Sequence, residues 1–219
     1  MGEHPRDHQH SEGHGHHHDH GLAAVLRYTR LLPHMWRSEV NDAVVRELAI
    51  RPGERVVDLG AGAGAATMEA ANRGAQVLAV EPMPFMRMVL GLRRLWYPRG
   101  RISVLNGATE AMPVGDASVD VLLTVNTLHH WTDRDAAVRE IARVLKPGAR
   151  VLLLDEDFGD PSHPEHEEFL ARRRRSGLVF DAVDPEALAR ALTQAGFAHA
   201  EGSRTRFAER PVKLIRATR

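Results

Sequence analysis

Residues 56 to 66 read Val-Val-Asp-Leu-Gly-Ala-Gly-Ala-Gly-Ala-Ala, an apolar run through Asp58 and Leu59 that passes straight into Gly60, Gly62 and Gly64. A buried strand that must turn at once into a helix needs glycine, because glycine accepts positive φ and leaves no Cβ to obstruct a close neighbour. This strand-turn-helix signature constrains the remainder of the chain to an α/β plan. The flanking pattern agrees with it. Arg51-Pro52-Gly53-Glu54 forms a turn into a first strand at Arg55–Leu59, and a helix from Ala65 to Arg73 ends at Gly74. Strand two is Gln76–Val80, closed by Glu81, and a helix around Phe85–Trp96 stops at Pro98. Strands then follow at Arg101–Leu105 and Val119–Val125, a helix at Arg134–Leu145, and strand five at Arg150–Asp155 after Lys146-Pro147-Gly148. Such alternation implies a doubly wound, mainly parallel sheet with helices on both faces. The chain ends differently. A helix over Pro185–Ala195 leads into two β-like runs, Phe197–Phe207 and Val212–Ala217, with no room for a helix between them, so an antiparallel hairpin is expected on the sheet edge.

The glycine loop alone fits two ligands. Gly60-x-Gly62-x-x-Ala65 matches a dinucleotide fingerprint, in which helix N-terminal amides hold a pyrophosphate. Asp58, two residues before the first glycine, would meet a pyrophosphate with like charge. The same carboxylate suits a ligand bearing an ammonium, such as the methionine part of S-adenosylmethionine.

With 219 residues the chain favours one domain large enough for a full sheet-and-helix core. No apolar run approaches the eighteen or so residues of a membrane span, and no signal peptide is visible. The absence of cysteine removes disulfide, thiolate and cysteine-zinc chemistry, which fits a cytoplasmic enzyme. A net charge of zero argues against a general nucleic-acid binder, and no membrane partner is expected.

Residues 1–20 form a separate object. They hold eight of the fourteen histidines among Gly, Asp, Glu and Ser, with no apolar residue after Met1. Such a segment buries too little surface to offset its ordering entropy and is expected to be a disordered tail. Imidazoles at this density bind divalent metal opportunistically. Residues 21–219 are read as the single folded domain, within which residues 21–50 supply helices at Leu22–Leu32 and Met35–Ile50. Tyr28, Leu32, Met35 and Trp36 give these helices the character of a lid or cap.

Four stretches together resemble the class I S-adenosylmethionine-dependent methyltransferases, of the small-molecule type related to the ubiquinone and menaquinone biosynthesis enzymes. They are Val56–Gly64, Val80-Glu81-Pro82-Met83, Gly107–Val125 with Met112-Pro113 and Asp116-x-x-x-Asp120, and Glu140-Ile141-x-x-Val144-Leu145-Lys146-Pro147-Gly148. The resemblance implies a Rossmann-like, seven-stranded sheet with an antiparallel C-terminal strand. It also implies roles by position. Asp58, Gly60, Gly62 and Gly64 would cradle the methionine portion, Glu81 would accept the ribose hydroxyls, and Pro82 and Met83 would line the adenine. Family members usually carry an aspartate after the glycine at Gly107 to hold the adenine amino group, whereas this chain reads Gly107-Ala108-Thr109-Glu110. Backbone at Ala108 and Thr109, or Glu110 reaching in, is expected to take that part.

Ligands of such sheets sit outside the carboxyl ends of the strands, where the loop Asn126-Thr127-Leu128-His129-His130-Trp131 falls. Asn126 is expected to contact the methionine moiety or the methyl acceptor, and His130 is the candidate general base for a nucleophile that loses a proton. Asp155-Glu156-Asp157 and the later His163 and His166 carry metal-donor chemistry, but a polar cover loop entering a helix is the reading adopted, and no resident metal is assigned. Arg172–Arg175 follow as a solvated helical surface paired with the acidic run before it. The function expected is methyl transfer from S-adenosylmethionine to a small molecule. Two rivals are a nicotinamide-dependent dehydrogenase and a non-catalytic, metal-responsive regulatory protein working through the histidine tail.

Overall fold

A computed structural model describes Trp36 and residues 38–98, 101–176 and 183–219. The chain divides into Met1–Leu31 and Leu32–Arg219. The first unit, with the histidine tail and nearly all of the helix expected at Leu22–Leu32, lies outside the described residues; the second is the folded domain described below.

Helix α1 spans Glu39–Glu47, capped by the Ser38 hydroxyl accepting from the Asn41 amide at 3.4 Å, and buries Val40, Val44 and Val45. The chain then alternates β1 (Arg55–Leu59), α2 (Ala65–Asn72), β2 (Gln76–Val80), α3 (Pro84–Arg93), β3 (Ile102–Leu105), β4 (Val119–Val125), α4 (Arg134–Val144) and β5 (Leu145–Glu156). Short 3-10 turns follow α3 at Arg94–Trp96 and β4 at Leu128–His130. Helices α5 (His166–Ser176) and α6 (Pro185–Gln194) precede the terminal strands β6 (His199–Phe207) and β7 (Arg210–Thr218). The sheet order is β3-β2-β1-β4-β5-β7-β6. Strands β1 to β5 pair in parallel, and β7 lies between β5 and β6, antiparallel to both.

Strand periodicity divides the core into two layers. Val57, Leu122, Leu153 and Ile215 pack on one side with Ile141 of α4 and Leu188 and Leu192 of α6. Their neighbours Val56, Val121, Leu123, Leu152, Leu154 and Leu214 pack on the other side with α1, α2 and Leu90 of α3. The buried strands read as near-continuous apolar runs because both faces are covered.

One boundary departs from the expected pattern. Lys146-Pro147-Gly148 reads as a turn, yet the segment is already part of β5. Leu145 pairs with Val119 and Arg150 with Val121, so four residues of β5 bulge out against Asp120 alone. The Gly148 amide donates to the carbonyl of Arg219 at 2.6 Å, and the Arg219 amide to Ala149 at 2.9 Å, which fastens the bulge to the chain end.

Candidate cofactor and acceptor site

The site forms at the carboxyl ends of β1, β2, β4 and β5. The glycine loop leaves β1 with φ of 71° at Gly60, 53° at Gly62 and 85° at Gly64, all left-handed. It is tied on both flanks. The amides of Gly60 and Ala61 donate to the carbonyl of Val80 at 2.8 and 3.1 Å, and the buried Arg93 guanidinium donates to the carbonyl of Ala63. Arg93 also donates to the carbonyl of Trp36 at 3.1 Å and lies 4.0 Å from that indole ring, linking the segment before α1 to the loop. A Cβ at Gly60 would collide with the methyl group of Thr127, and one at Gly64 with Leu90. The protein's own packing therefore demands these two glycines. Close approach of a ligand is not needed to explain them.

Two carboxyl groups flank the loop. Asp58 is 3% exposed and accepts from the Thr67 hydroxyl. Burial, with a smaller contribution from Glu81, outweighs the Thr67 bonds and pushes its carboxyl up to about 6. Glu81 is 6% exposed, and its pKa is also raised by burial. One oxygen of Glu81 accepts from the Gly62 amide and the other from the Met83 amide, each at 2.8 Å. Glu81 thus joins the glycine loop to the start of α3. Arg87 donates to the carbonyls of Glu81 and Pro82 at 3.0 and 2.6 Å, fixing the same turn. Pro82 is exposed and Met83 half-buried.

Past β3, Ala108 is exposed, Thr109 is half-buried, and Ala108 forms an isolated bridge with Ala111. Glu110 is engaged by the segment that leads into α4. Its carboxylate accepts from the Thr132 amide and hydroxyl at 3.2 and 3.0 Å and from the Asp133 amide at 3.4 Å, so it braces the entry to α4.

The loop after β4 is held by consecutive residues at the end of β5. Asn126, at φ 59°, exchanges two hydrogen bonds with Glu156: its side-chain Nδ2 donates to Oε1 at 2.8 Å, and its side-chain Oδ1 accepts from the Glu156 backbone amide at 2.7 Å. Asp155, 3% exposed, accepts from the backbone amides of Leu128 and His129 at 3.0 and 3.1 Å and lies 2.8 Å from His129 Nδ1. His130 is exposed, its ring centroid 4.0 Å from that of His129.

Glu156 also reaches the segment beyond β5. Its Oε2 receives His163 Nε2 at 3.1 Å and Arg210 Nη1 at 2.9 Å. The Glu165 amide donates to His163 Nδ1 at 3.0 Å, which leaves the proton of the neutral ring on Nε2. Both nitrogens of His163 are thus committed to protein partners. Among the described residues no cluster of three or more histidines and carboxylates is placed to hold a metal. Asp155 and Glu156 are the anchors that reading by sequence missed; the available signal was a pair of carboxylates at the end of the strand next to β4.

Residues 57–153 match the family model of the methyltransferase domain. The chain is 43% identical over 109 residues to an uncharacterized methyltransferase of Mycobacterium tuberculosis, an alignment covering 48% of this chain and 42% of that protein. It is 31% identical over 157 residues to a demethylmenaquinone methyltransferase of Corynebacterium kroppenstedtii, covering 70% of this chain and 63% of the relative. The matches therefore span less than two thirds of either relative. In fold, the chain is similar to the crystal structure of a putative S-adenosylmethionine-dependent methyltransferase from Methanococcus maripaludis, with a TM-score of 0.66, 15% identity and coverage of 98% and 96% of the two chains. Residues 57–153, which include the glycine loop and both flanking carboxyl groups, thus carry a methyltransferase domain, and the parallel sheet with its inserted antiparallel β7 has the fold of the class I S-adenosylmethionine-dependent methyltransferases.

Proposed function

We propose that this protein transfers a methyl group from S-adenosylmethionine to a small-molecule acceptor by direct in-line attack. The acceptor nucleophile bonds to the methyl carbon as the carbon–sulfur bond breaks, and the electron pair stays on sulfur in S-adenosylhomocysteine. The observation that carries this reading is Glu81, buried at the end of β2 and bonded to both the glycine loop and the start of α3. Each carboxylate oxygen accepts one backbone N–H and retains acceptor capacity for one ribose hydroxyl.

The surrounding residues fit the same ligand. Asp58 and Glu81 put two acidic groups beside the loop, a setting that complements a cationic amino acid and disfavours a pyrophosphate. Gly60, Gly62 and Gly64 form the cradle for the methionine portion, and Pro82 and Met83 the apolar side of the adenine pocket. With Glu110 engaged by Thr132 and Asp133, the adenine edge falls to the backbone at Ala108 and Thr109. Asn126 shapes the acceptor loop through its bonds to Glu156. Of the histidine pair, His129 lies against Asp155, and the exposed His130 is assigned to receive the proton of an oxygen or nitrogen acceptor. The quinone named for the Corynebacterium relative supports a small-molecule acceptor here.

Calorimetric titration tests the reading. The parent should bind S-adenosylmethionine and S-adenosylhomocysteine and show no heat with NADH. Binding of NADH in preference to either would overturn it.

A further inference from the structure

Helix α3 and the 3-10 turn after it have two apolar faces. Met86, Val89, Leu90 and Arg93 are buried against the domain. Met88, Leu92, Leu95 and Trp96 are 56, 59, 71 and 76% exposed. Their spacing of four, three and one places them in one stripe along the helix. Among the described residues, the only other large apolar side chain so exposed is Trp36, whose ring meets Arg93 of the same helix. Exposed apolar side chains scattered singly need no explanation, whereas a contiguous stripe marks a surface with a partner.

The charge of this segment narrows the choice of partner. From Pro82 to Leu105 the sequence holds five arginines and no aspartate or glutamate, in a chain whose net charge is zero; Arg93 is buried, and Arg87 and Arg101 are bonded to backbone carbonyls. Arg94 is exposed within the stripe itself, beside Leu95 and Trp96. We propose that this stripe is a peripheral docking surface for a membrane containing anionic lipid. A bilayer interface satisfies each feature at once. Methionine and leucine enter the acyl boundary, tryptophan settles at headgroup level, and arginine keeps its stem on apolar surface while its guanidinium meets lipid phosphate. A second copy of the chain fits less well, since a two-fold contact sets the same cationic stripe against itself. Among the described residues no helix is long and apolar enough to cross a membrane, so the contact is a surface one.

Flotation of the full chain with vesicles tests this directly. Vesicles of phosphatidylcholine mixed with phosphatidylglycerol should carry the protein at low salt, and vesicles of phosphatidylcholine alone should not. The double variant Leu92→Ser/Trp96→Ser should lose about tenfold or more in vesicle affinity, and Arg94→Glu a comparable amount, with S-adenosylhomocysteine binding unchanged as the check that both are folded. Failure of the parent to float with anionic vesicles would overturn the proposal, as would equal flotation of the double variant. A concentration-dependent dimer abolished by the same double variant, without vesicle binding, would reassign the stripe to a protein interface.

Discussion

At Asp58 and Gly60 the packing of single residues sets measurable terms in the stability of the fold. The carboxyl of Asp58 is raised to about 6, so the folded protein holds a proton that the unfolded chain releases near pH 4. The stabilisation is complete below about pH 4 and is lost as pH rises through 6; a shift of two units corresponds to about 3 kcal/mol at most. Asp58→Asn keeps an acceptor for Thr67 but cannot titrate. Urea unfolding of the variant should therefore decline less than the parent between pH 4 and pH 7, and identical pH profiles would contradict the assignment. Gly60→Ala combines left-handed φ with collision against the Thr127 methyl group and should cost about 1–3 kcal/mol. Thr127→Ser removes that methyl group, so the double variant should recover part of the loss. Denaturant midpoints of the two single variants and the double variant measure the coupling, and simple additivity would show that φ alone is responsible.

At the scale of elements, the loop after β4 owes its shape to β5. Asp155 gathers two loop amides and the His129 ring, while Glu156 holds Asn126 in a left-handed turn. Hydrogen bonds to a buried carboxylate contribute about 1.5–3 kcal/mol. Asp155→Ala should lower stability by about that amount and accelerate hydrogen exchange at the amides of Leu128 and His129; unchanged protection at those amides would exclude Asp155 as the anchor. This clamp was not legible beforehand because it joins positions nearly thirty residues apart through side chains. The strands themselves were legible. Arg55–Leu59, Gln76–Val80 and Val119–Val125 appear where apolar runs bounded by glycine and acidic residues put them. Strand β5 begins earlier than its pattern implies, because a Pro-Gly pair that commonly signals a turn is absorbed here as a bulge. The helix expected from Met35 is described only at Trp36 and from Glu39 to Glu47, where Ser38 supplies the cap.

Across the molecule, the order of alternating strands and helices fixed the architecture in advance, and the short link between the last two runs foretold the hairpin. What the pattern left open was which run would pair with β5; β7 takes that place and β6 becomes the edge. Leu214 and Ile215 are buried on opposite sides of the sheet, as an interior strand requires, whereas most of β6 is exposed. The position of Glu81, directly after β2 and beside the glycine loop, was legible. Its bonds to Gly62 and Met83 were not, since they depend on how two loops fold toward each other. The most direct test is calorimetric titration of S-adenosylmethionine into the parent and into Glu81→Ala, with unfolding curves recorded for both. A folded variant whose affinity falls about tenfold or more, as expected when two charge-assisted ribose hydrogen bonds are lost, would support Glu81 as the cofactor's ribose acceptor. A folded variant that binds as tightly as the parent would contradict it.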